Sequence, residues 1–363
     1  MIDKKTTNFI HEKIEADLLS GKIKKVITRF PPEPNGHLHI GHAKAIFLDF
    51  ETAKKYNGDC HLRFDDTNPE TEDDEFVKSI QKDIKWLGYD WGNNIYWASN
   101  YFDEMYSYAV KLIQMGCAYV CNLSKEEFKN YRGIPSKDGK NPPNRNMSIS
   151  ENLDIFEKMK DGVFEEGDYV LRAKIDMTSP NLHLRDPAIY RIKKIFHHNT
   201  GNKYNIYPMY DFAHCIEDSI ENITHSICTL EFEDHRPLYD WFLKQLKIYH
   251  PQQIEFSRLN LEYTIMSKRH LKLLVDENHV SNWDDPRMPT ISGLRRKGYP
   301  PDAIKEFIYS LGVGKNDGYA SIEHLEYFVR KYLNKNSKRI MAVLDPVKLI
   351  IDNYDENKFE ELE

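Results

Sequence analysis

Two short segments hold side chains suited to work on a phosphate. In Pro31-Pro32-Glu33-Pro34-Asn35-Gly36-His37-Leu38-His39-Ile40-Gly41-His42-Ala43-Lys44, two imidazoles, His39 and His42, stand three positions apart. On the first turn of a helix that spacing puts both rings on one face. Unpaired backbone N–H groups and the positive end of the helix dipole lie beside them, which makes an anion site suited to phosphate. Gly41 removes a side chain where a flat ring or a phosphate must approach the backbone. The second segment is Tyr263-Thr264-Ile265-Met266-Ser267-Lys268-Arg269. A lysine in a loop after a strand can reach a phosphate as a mobile point charge. Taken singly, these are two surface histidines at a helix start and a solvated lysine. Together they bracket a nucleotide from the two halves of a split parallel sheet, at the carboxyl ends of its strands.

The elements that would carry them read as follows. Ile10, Ile14 and Leu18 recur at helical spacing, and Gly21 stops that helix. Strand 26–30 is followed by a Pro-rich loop that cannot be helical, then by a helix from about Leu38 or His39 to Lys55. Strand 60–64 and helix 71–87 complete a parallel, crossover pattern. The character changes near residue 98. A helix at 101–115, a polar loop at 133–147 and strands at 169–175 and 190–196 read as an inserted α+β unit. The sheet pattern resumes near Tyr207, with a helix from Tyr210, a strand at 226–230, a helix around Trp241 and a short strand at 255–256. Helices at 291–297, 303–311 and 322–333 follow, and 342–351 turns β-like.

The chain has 363 residues, with 50 Lys and Arg against 57 Asp and Glu, a formal charge of −7. Apolar residues make up 40%, charged residues 29% and aromatic residues 12%, which fits a globular protein with a sizeable core. No apolar run reaches the roughly 18 residues of a membrane span, and the amino-terminal residues lack the apolar stretch of a secretion signal. Five irregularly spaced cysteines do not form a disulfide framework, so a cytoplasmic location is the expectation. Cys117 and Cys121 lack nearby partners for zinc. An acidic total leaves room for nucleic acid along a local basic face.

The sequence resembles the class I aminoacyl-tRNA synthetases. Their HIGH and KMSKS signatures match His39–His42 and Met266–Lys268. Within that class it is similar to the glutaminyl branch of the glutamyl/glutaminyl subfamily, through FPPEPNGHLHIGHAK (30–44), LRFDDTNPE (62–70), YRGIPSKDGKNPPNR (131–145), LRAKIDM (171–177), YPMYDFAHCIED (207–218), THSICTLEFEDHRPLYDW (224–241), FSRLNLEYTIMSKR (256–269) and WDDPRMPTISGLRRKGY (283–299). The resemblance implies an α/β fold: a Rossmann-like parallel sheet split by an α+β acceptor-stem-binding insertion and followed by a helical subdomain. Its units would be an N-terminal helical extension (1–25), a first catalytic half (26–97), the insertion (98–208), a second half (209–259), the signature loop with a helical stem-contact subdomain (260–340), and the start of an anticodon-binding β-barrel (341–363).

The implied reaction joins L-glutamine to the terminal ribose 2′-hydroxyl of tRNA(Gln) through a glutaminyl-adenylate. It consumes ATP, with Mg²⁺ held through the ATP and no metal ligated by the protein, and its first step requires bound tRNA. The resemblance assigns His39, His42 and Lys268 to catalysis. It assigns Glu33, Pro34, Asn35, Ile40, Gly41, Ala43, Lys44, Thr229, Arg258, Leu259, Met266 and Ser267, with the catalytic three, to ATP. Glutamine falls to Arg29, Asp65, Tyr210, Cys228 and Phe232. A carboxylate at Asp65 suits an α-ammonium, and Arg29 suits a carboxylate or carbonyl. The Tyr210 hydroxyl can accept from the side-chain amide, a donor that glutamate lacks. tRNA contacts fall to Ile134, Asp234, Arg295 and Arg296, with Lys193-Lys194, Lys297 and Lys338-Arg339 as further phosphate candidates.

A monomer is expected. The family's two anticodon-reading barrels are expected to be absent, leaving 345–363 poorly ordered or repacked, because strands without partners expose their edges. A glutamyl-tRNA synthetase of the non-bacterial type, a non-catalytic tRNA-binding paralogue and a small-molecule nucleotidylyltransferase share parts of the pattern. The last of these would not need the 98–208 insertion.

Overall fold

The computed structural model describes residues 8–355 and 357–361. The first half contains α1 (Phe9–Leu19), β1 (Ile27–Phe30), α2 (Ile40–Lys55), β2 (Asp59–Phe64), α3 (Asp74–Trp86) and β3 (Ile95–Trp97). Next come α4 (Phe102–Gln114), β4 (Ala118–Cys121), α5 (Lys125–Arg132), α6 (Ile149–Lys160), β5 (Val170–Ala173), β6 (Ala188–Ile192) and β7 (Ile206–Pro208). The sheet then resumes with α7 (Tyr210–Ile220), β8 (His225–Thr229), α8 (Arg236–Leu246) and β9 (Gln252–Phe256). The remainder is β10 (Leu259–Leu261), α9 (Lys268–Asp276), α10 (Ile291–Lys297), α11 (Pro301–Leu311), β11 (Gly318–Ala320) and α12 (Ile322–Asn336).

β1, β2 and β3 form one parallel sheet, and β8 with β9 forms a second parallel pair. They meet along β1 and β8. Thr224 N–H donates to Ile27 O (2.9 Å), and its hydroxyl accepts from Ile27 N–H (2.9 Å). Two residues on, Arg29 Nη1 donates to Ile227 O (2.7 Å), so a side chain takes over from the backbone ladder. The strand order across both pieces is β3-β2-β1-β8-β9, and the chain reverses direction of travel between β1 and β8. The carboxyl ends there open a crevice, the usual place for a ligand in such a sheet.

The stitching continues through buried charges. α7 turns Glu217, Asp218 and Glu221 toward β1 and β2. Arg63 Nη2 lies 2.7 Å from Asp218 Oδ1, its Nε 2.7 Å from Glu217 and its Nη1 3.3 Å from Glu221, with every group fully buried. Arg29 Nε pairs with Asp218 Oδ1 at 3.1 Å, and Ser226 and Tyr239 donate to Oδ2 at 2.6 and 3.1 Å. Burial alone would raise the Asp218 pKa, but Arg29, His214 and Arg63 together hold it far below the usual carboxylate range.

The insertion is an antiparallel sheet in the order β4-β5-β6-β7. Its core includes Phe102, Ile113, Phe156 and Tyr207, and it continues into Phe212 and Ile216 of α7 and Phe242 and Leu243 of α8. A separate core joins α2, β1 and β2 with α10, α11 and α12.

The strands β3 and β4, helices α5, α6 and α9, and the parallel β10–β11 pair are additions to what the sequence pattern suggested. β3 and β4 are only three and four residues long, too short for a period to declare itself. The β-like reading of 342–351 is corrected, because no strand forms there. Ile340, Met341, Leu344, Val347 and Leu349 are all more than four-fifths exposed, Val347 93%. A lone extended segment without a sheet partner has no ladder to join. Among the described residues, no helix is long and apolar enough to cross a membrane.

Asp218→Asn is expected to cost about 3–5 kcal/mol in urea unfolding, because it leaves two buried guanidinium groups short of charge. Asp240→Asn, which loosens only an exposed pair with His250, should stay within about 0.5 kcal/mol. The Asp218 contribution should be complete above about pH 4 and be lost as the pH falls through its depressed folded pKa.

Candidate active site

The crevice is built from the ends of β1, β2 and β8 and from the loops after them. His39 is the N-cap of α2, and its ring folds back so that Nδ1 accepts from Gly41 N–H (3.1 Å). His42 Nδ1 accepts from His39 N–H (3.1 Å), and the two rings lie 3.9 Å apart. Burial pushes the His39 pKa down to about 4, helped by Lys268, and holds His42 well below its usual value, helped by His39 and Lys268. Both rings are therefore neutral near pH 7. With Nδ1 accepting, the proton of each sits on Nε2, which becomes the outward donor.

This corrects the expected anion site in one respect. Gly41 N–H goes to His39, Ile40 N–H goes to Pro289 O (3.0 Å) and His42 N–H to His39 O (2.9 Å). The N–H groups of this turn are occupied, so the donors left for a phosphate are the imidazole Nε2–H groups. Gly41 is also required for a different reason. A Cβ there would lie 2.8 Å from His39 Cε1 and 2.9 Å from Met266 Cε, so it makes room for the chain's own side chains.

Lys268 is corrected from a loop lysine to the first residue of α9. Its Nζ donates to Asn35 Oδ1 at 2.6 Å, and its stem covers Gly36. Asn35 in turn donates to Glu33. Burial lowers the Lys268 pKa, with Glu33 opposing. The bond from Asn35 to Lys268 ties the two signature segments together across 233 positions. Residues 289–291 brace the histidine turn from outside: Ile291 N–H donates to Leu38 O (2.9 Å), and Thr290 bridges to His39. Nothing in the residue types of 289–291 announced that role.

The remaining candidates for ATP divide. Ile40, Ala43 and Leu259 are buried in the core, and Pro34 is buried with its carbonyl held by Asp73 N–H, so their side chains do not line the crevice. Lys44 is turned inward, Nζ donating to Ser257 O (2.5 Å) and hydroxyl (3.2 Å). It anchors the turn before Arg258. Arg258 is 56% exposed and only 3.9 Å from Glu231, and Thr229 donates to Glu231 at 2.8 Å. Ser267 caps α9 without a side-chain cap bond.

Asp65, Tyr210, Cys228 and Phe232 come together at the other side of the crevice. Asp65 is 4% exposed, and its Oδ1 has no hydrogen-bond partner. Burial, then Glu33, pushes its pKa up to about 7. Tyr210 stacks on His214 at 5.2 Å and faces Phe232 at 5.3 Å, and its hydroxyl has no hydrogen-bond partner among the described residues. Cys228 stays a neutral thiol because burial raises its pKa. Arg29, expected to touch glutamine, is held by the protein itself. It is 1% exposed and directs Nε, Nη1 and Nη2 to Asp218, Ile227 O and Ser226.

The tRNA candidates also separate. Ile134 is 56% exposed on a loop that buried Arg185 organises by donating to the carbonyls of Arg132, Ile134 and Lys137. Asp234 is exposed, and its backbone carbonyl accepts from Asn181 of the insertion (2.7 Å). It is not the cap of α8, because His235 holds that position. Arg295 is corrected to a structural contact, paired with buried Asp83 (3.0 Å) and lying over Trp86. Arg296 is exposed and pairs with Asp284, while Lys193 and Lys194 are engaged by Glu70, Glu166 and Glu165.

Residues 25–335 match the family model for class I tRNA synthetases (E and Q), catalytic domain. The glutamine–tRNA ligase of Proteus mirabilis is 58% identical over 98% of this chain and 64% of its own length. That of Clostridium perfringens is 58% identical over 99% and 65%. The chain thus spans just under two thirds of these relatives. Among solved structures, a glutamate tRNA ligase from Elizabethkingia meningosepticum superposes with a TM-score of 0.59 at 20% identity, covering 86% of this chain and 70% of that one. At that identity the match speaks for the fold.

Imidazole NMR provides a direct check on the paired histidines. His39 should remain neutral at pH 6 and titrate near pH 4, with both rings in the Nε2–H form. An Nδ1–H signal from either ring would refute the capping geometry as the source of the outward donors.

Proposed function

The chain belongs to the class I tRNA synthetases of the glutamate and glutamine type, and on that premise we propose that it attaches L-glutamine to the 3′ end of a tRNA at the expense of ATP. The observation that carries the choice of glutamine is the neutral wall formed by Tyr210, Cys228 and Phe232. Arg29 behind it is spent on Asp218 and the sheet, and Arg63 on Asp218, Glu217 and Glu221. A glutamate side chain would bury a carboxylate there with no cation to meet it. A glutamine amide can instead donate to the Tyr210 hydroxyl. The names of the two glutamine–tRNA ligases compared above agree with this reading.

In the first step the glutamine carboxylate attacks the α-phosphorus of ATP and pyrophosphate leaves. The nucleophile is already ionised, so positioning and charge stabilisation do the work. Asp65, with its unpartnered buried oxygen, holds the α-ammonium. His39 and His42 donate from Nε2 to phosphate oxygens, and Lys268 balances the charge that develops on the leaving group. These donors suit phosphate oxygens and not a bare cation, so Mg²⁺ would be held by ATP itself. In the second step the terminal ribose hydroxyl attacks the acyl-adenylate and AMP departs. The exposed Asp234 and the loop at Ile134 are the contacts we assign to the acceptor end, with Arg296 as a phosphate contact. We infer a monomer working in the cytoplasm.

Pyrophosphate exchange with tRNA present should proceed with glutamine and be much weaker with glutamate. A preference for glutamate would overturn the substrate assignment. Lys268→Ala should slow exchange by about 10²–10³-fold, with an unchanged melting temperature. Undiminished exchange would remove Lys268 from the chemistry.

A further inference from the structure

The segment after β2, residues 65–74, runs between the insertion and the Pro-rich loop that precedes α2. Its alternate residues face opposite ways. Asp65 N–H donates to Pro32 O (3.1 Å) and Asp73 N–H to Pro34 O (3.1 Å), so the odd-numbered ends hold the nucleotide loop. The even-numbered residues hold the insertion. Asp66 accepts from Ser99 N–H (2.8 Å) and hydroxyl (2.6 Å), and its carbonyl from His197 Nε2 (2.8 Å). Asn68 accepts from Arg191 (2.8 Å), and Glu70 pairs with Lys193. Glu72 and Asp74 meet His198.

His198 lies at the centre of this contact. Its Nδ1 is 3.1 Å from Asp74 Oδ1, which places a proton on that nitrogen. Its Nε2 is 3.4 Å from Asp66 Oδ2 and 3.9 Å from Glu72 Oε2. Nε2 and Glu72 Oε2 are both buried without a hydrogen-bond partner, and the Glu72 side chain is 1% exposed. Three lone-pair-bearing atoms converging in a buried site need a proton among them, on His198 Nε2 or on Glu72, whose pKa burial raises to about 8. His197 cannot supply it. Its Nδ1 accepts from Asn199 and Thr200 N–H (3.1 and 3.2 Å), so its ring is the neutral Nε2–H form that donates to Asp66 O.

We propose that residues 65–74 are the strap through which the insertion sets the amino-acid site, with His198 as its positioning residue. The inference rests on the function proposed above. Asp65 is the first residue of the strap, so any shift of the insertion's hairpin is passed to the carboxylate that holds the α-ammonium. Burial disfavours charge on His198, but Asp66 and Asp74 outweigh it and raise the pKa. Binding of an acceptor end to the insertion thereby acts on glutamine affinity before any contact between the two ligands.

The test compares wild type, His198→Leu and His198→Gln by tRNA-dependent exchange, thermal melting and metal analysis. His198→Leu should raise the glutamine KM about tenfold or more, with the ATP KM and the melting temperature little changed. His198→Gln, which keeps a hydrogen-bonding group, should recover part of that loss. An unchanged glutamine KM, or glutamine and ATP KM values rising together with a lower melting temperature, would overturn the proposal. So would stoichiometric zinc or manganese in the purified protein, which would put a metal where the proton is assigned. Hydrogen exchange supplies a readout that does not need turnover. An acceptor-stem RNA should slow exchange of the amides of 66–74 in wild type and not in His198→Leu. If wild type activates no amino acid, the functional reading fails by itself, while equal protection in both proteins would still reject the strap.

Discussion

The ion pairs between α7 and the first two strands are the interaction on which the rest depends. The catalytic sheet is made from pieces separated by more than a hundred residues, and the backbone ladder between β1 and β8 is short. Arg29 and Arg63 close the gap by reaching Asp218, Glu217 and Glu221 at 2.7 to 3.3 Å. Two buried guanidinium groups can be retained only if carboxylates arrive in the right place. The fold is thus selected against alternatives in which α7 is rotated or shifted by a turn. Fixing α7 also fixes Tyr210, its first residue, and so one wall of the amino-acid pocket.

The same economy governs the phosphate side. A histidine pair near a helix start might be expected to work as cations at a dipole. Their reciprocal capping instead spends Nδ1 on the backbone and leaves two neutral rings with a defined tautomer. Two imidazolium groups 3.9 Å apart would repel each other and Lys268. Neutral donors avoid that repulsion and leave the formal charge to Lys268, where the proposed reaction would develop charge on a leaving group. Lys268 is already desolvated and aimed by Asn35, so little reorganisation is needed when a nucleotide arrives.

Much of this was legible from residue order, and what was not has identifiable causes. Helices with a clear apolar period, such as α4, α10 and α11, were read within a residue or two. The histidine segment, the Met266–Lys268 segment and the residues Asp65 and Tyr210 are picked out by motifs. The protein partners of Arg29 and Arg295 are invisible in sequence: Asp218 lies 189 positions from Arg29, and Asp83 lies 212 positions from Arg295. Ile40, Ala43 and Leu259 belong to a motif yet face the core, since a motif names positions and not the direction of a side chain. Short elements such as β3 and β10 depend on partners and carry too few residues to show a period. The segment 342–351 shows the reverse error. Its apolar residues read as β-like, but a strand needs a neighbour, and none lies beside it among the described residues.

The packing of the insertion gives its contacts a consequence for function. An independent domain tethered by two linkers would leave the catalytic halves indifferent to what it binds. Here its core extends into α7 and α8, through Phe212, Ile216, Phe242 and Leu243. Its hairpin grips Asp66 and Glu72, while Asn181 reaches Asp234. Those contacts fall on the two segments that flank the amino-acid pocket, one after β2 and one before α8. Close-packed interiors transmit a displacement and do not absorb it. A rotation of the insertion must therefore move Asp65, Tyr210, or both. Among the described residues, the inserted unit and the pocket share these contacts, so a shift of one is felt by the other. That dependence is a property of how the cores interlock, and it would hold for whichever amino acid the pocket accepts.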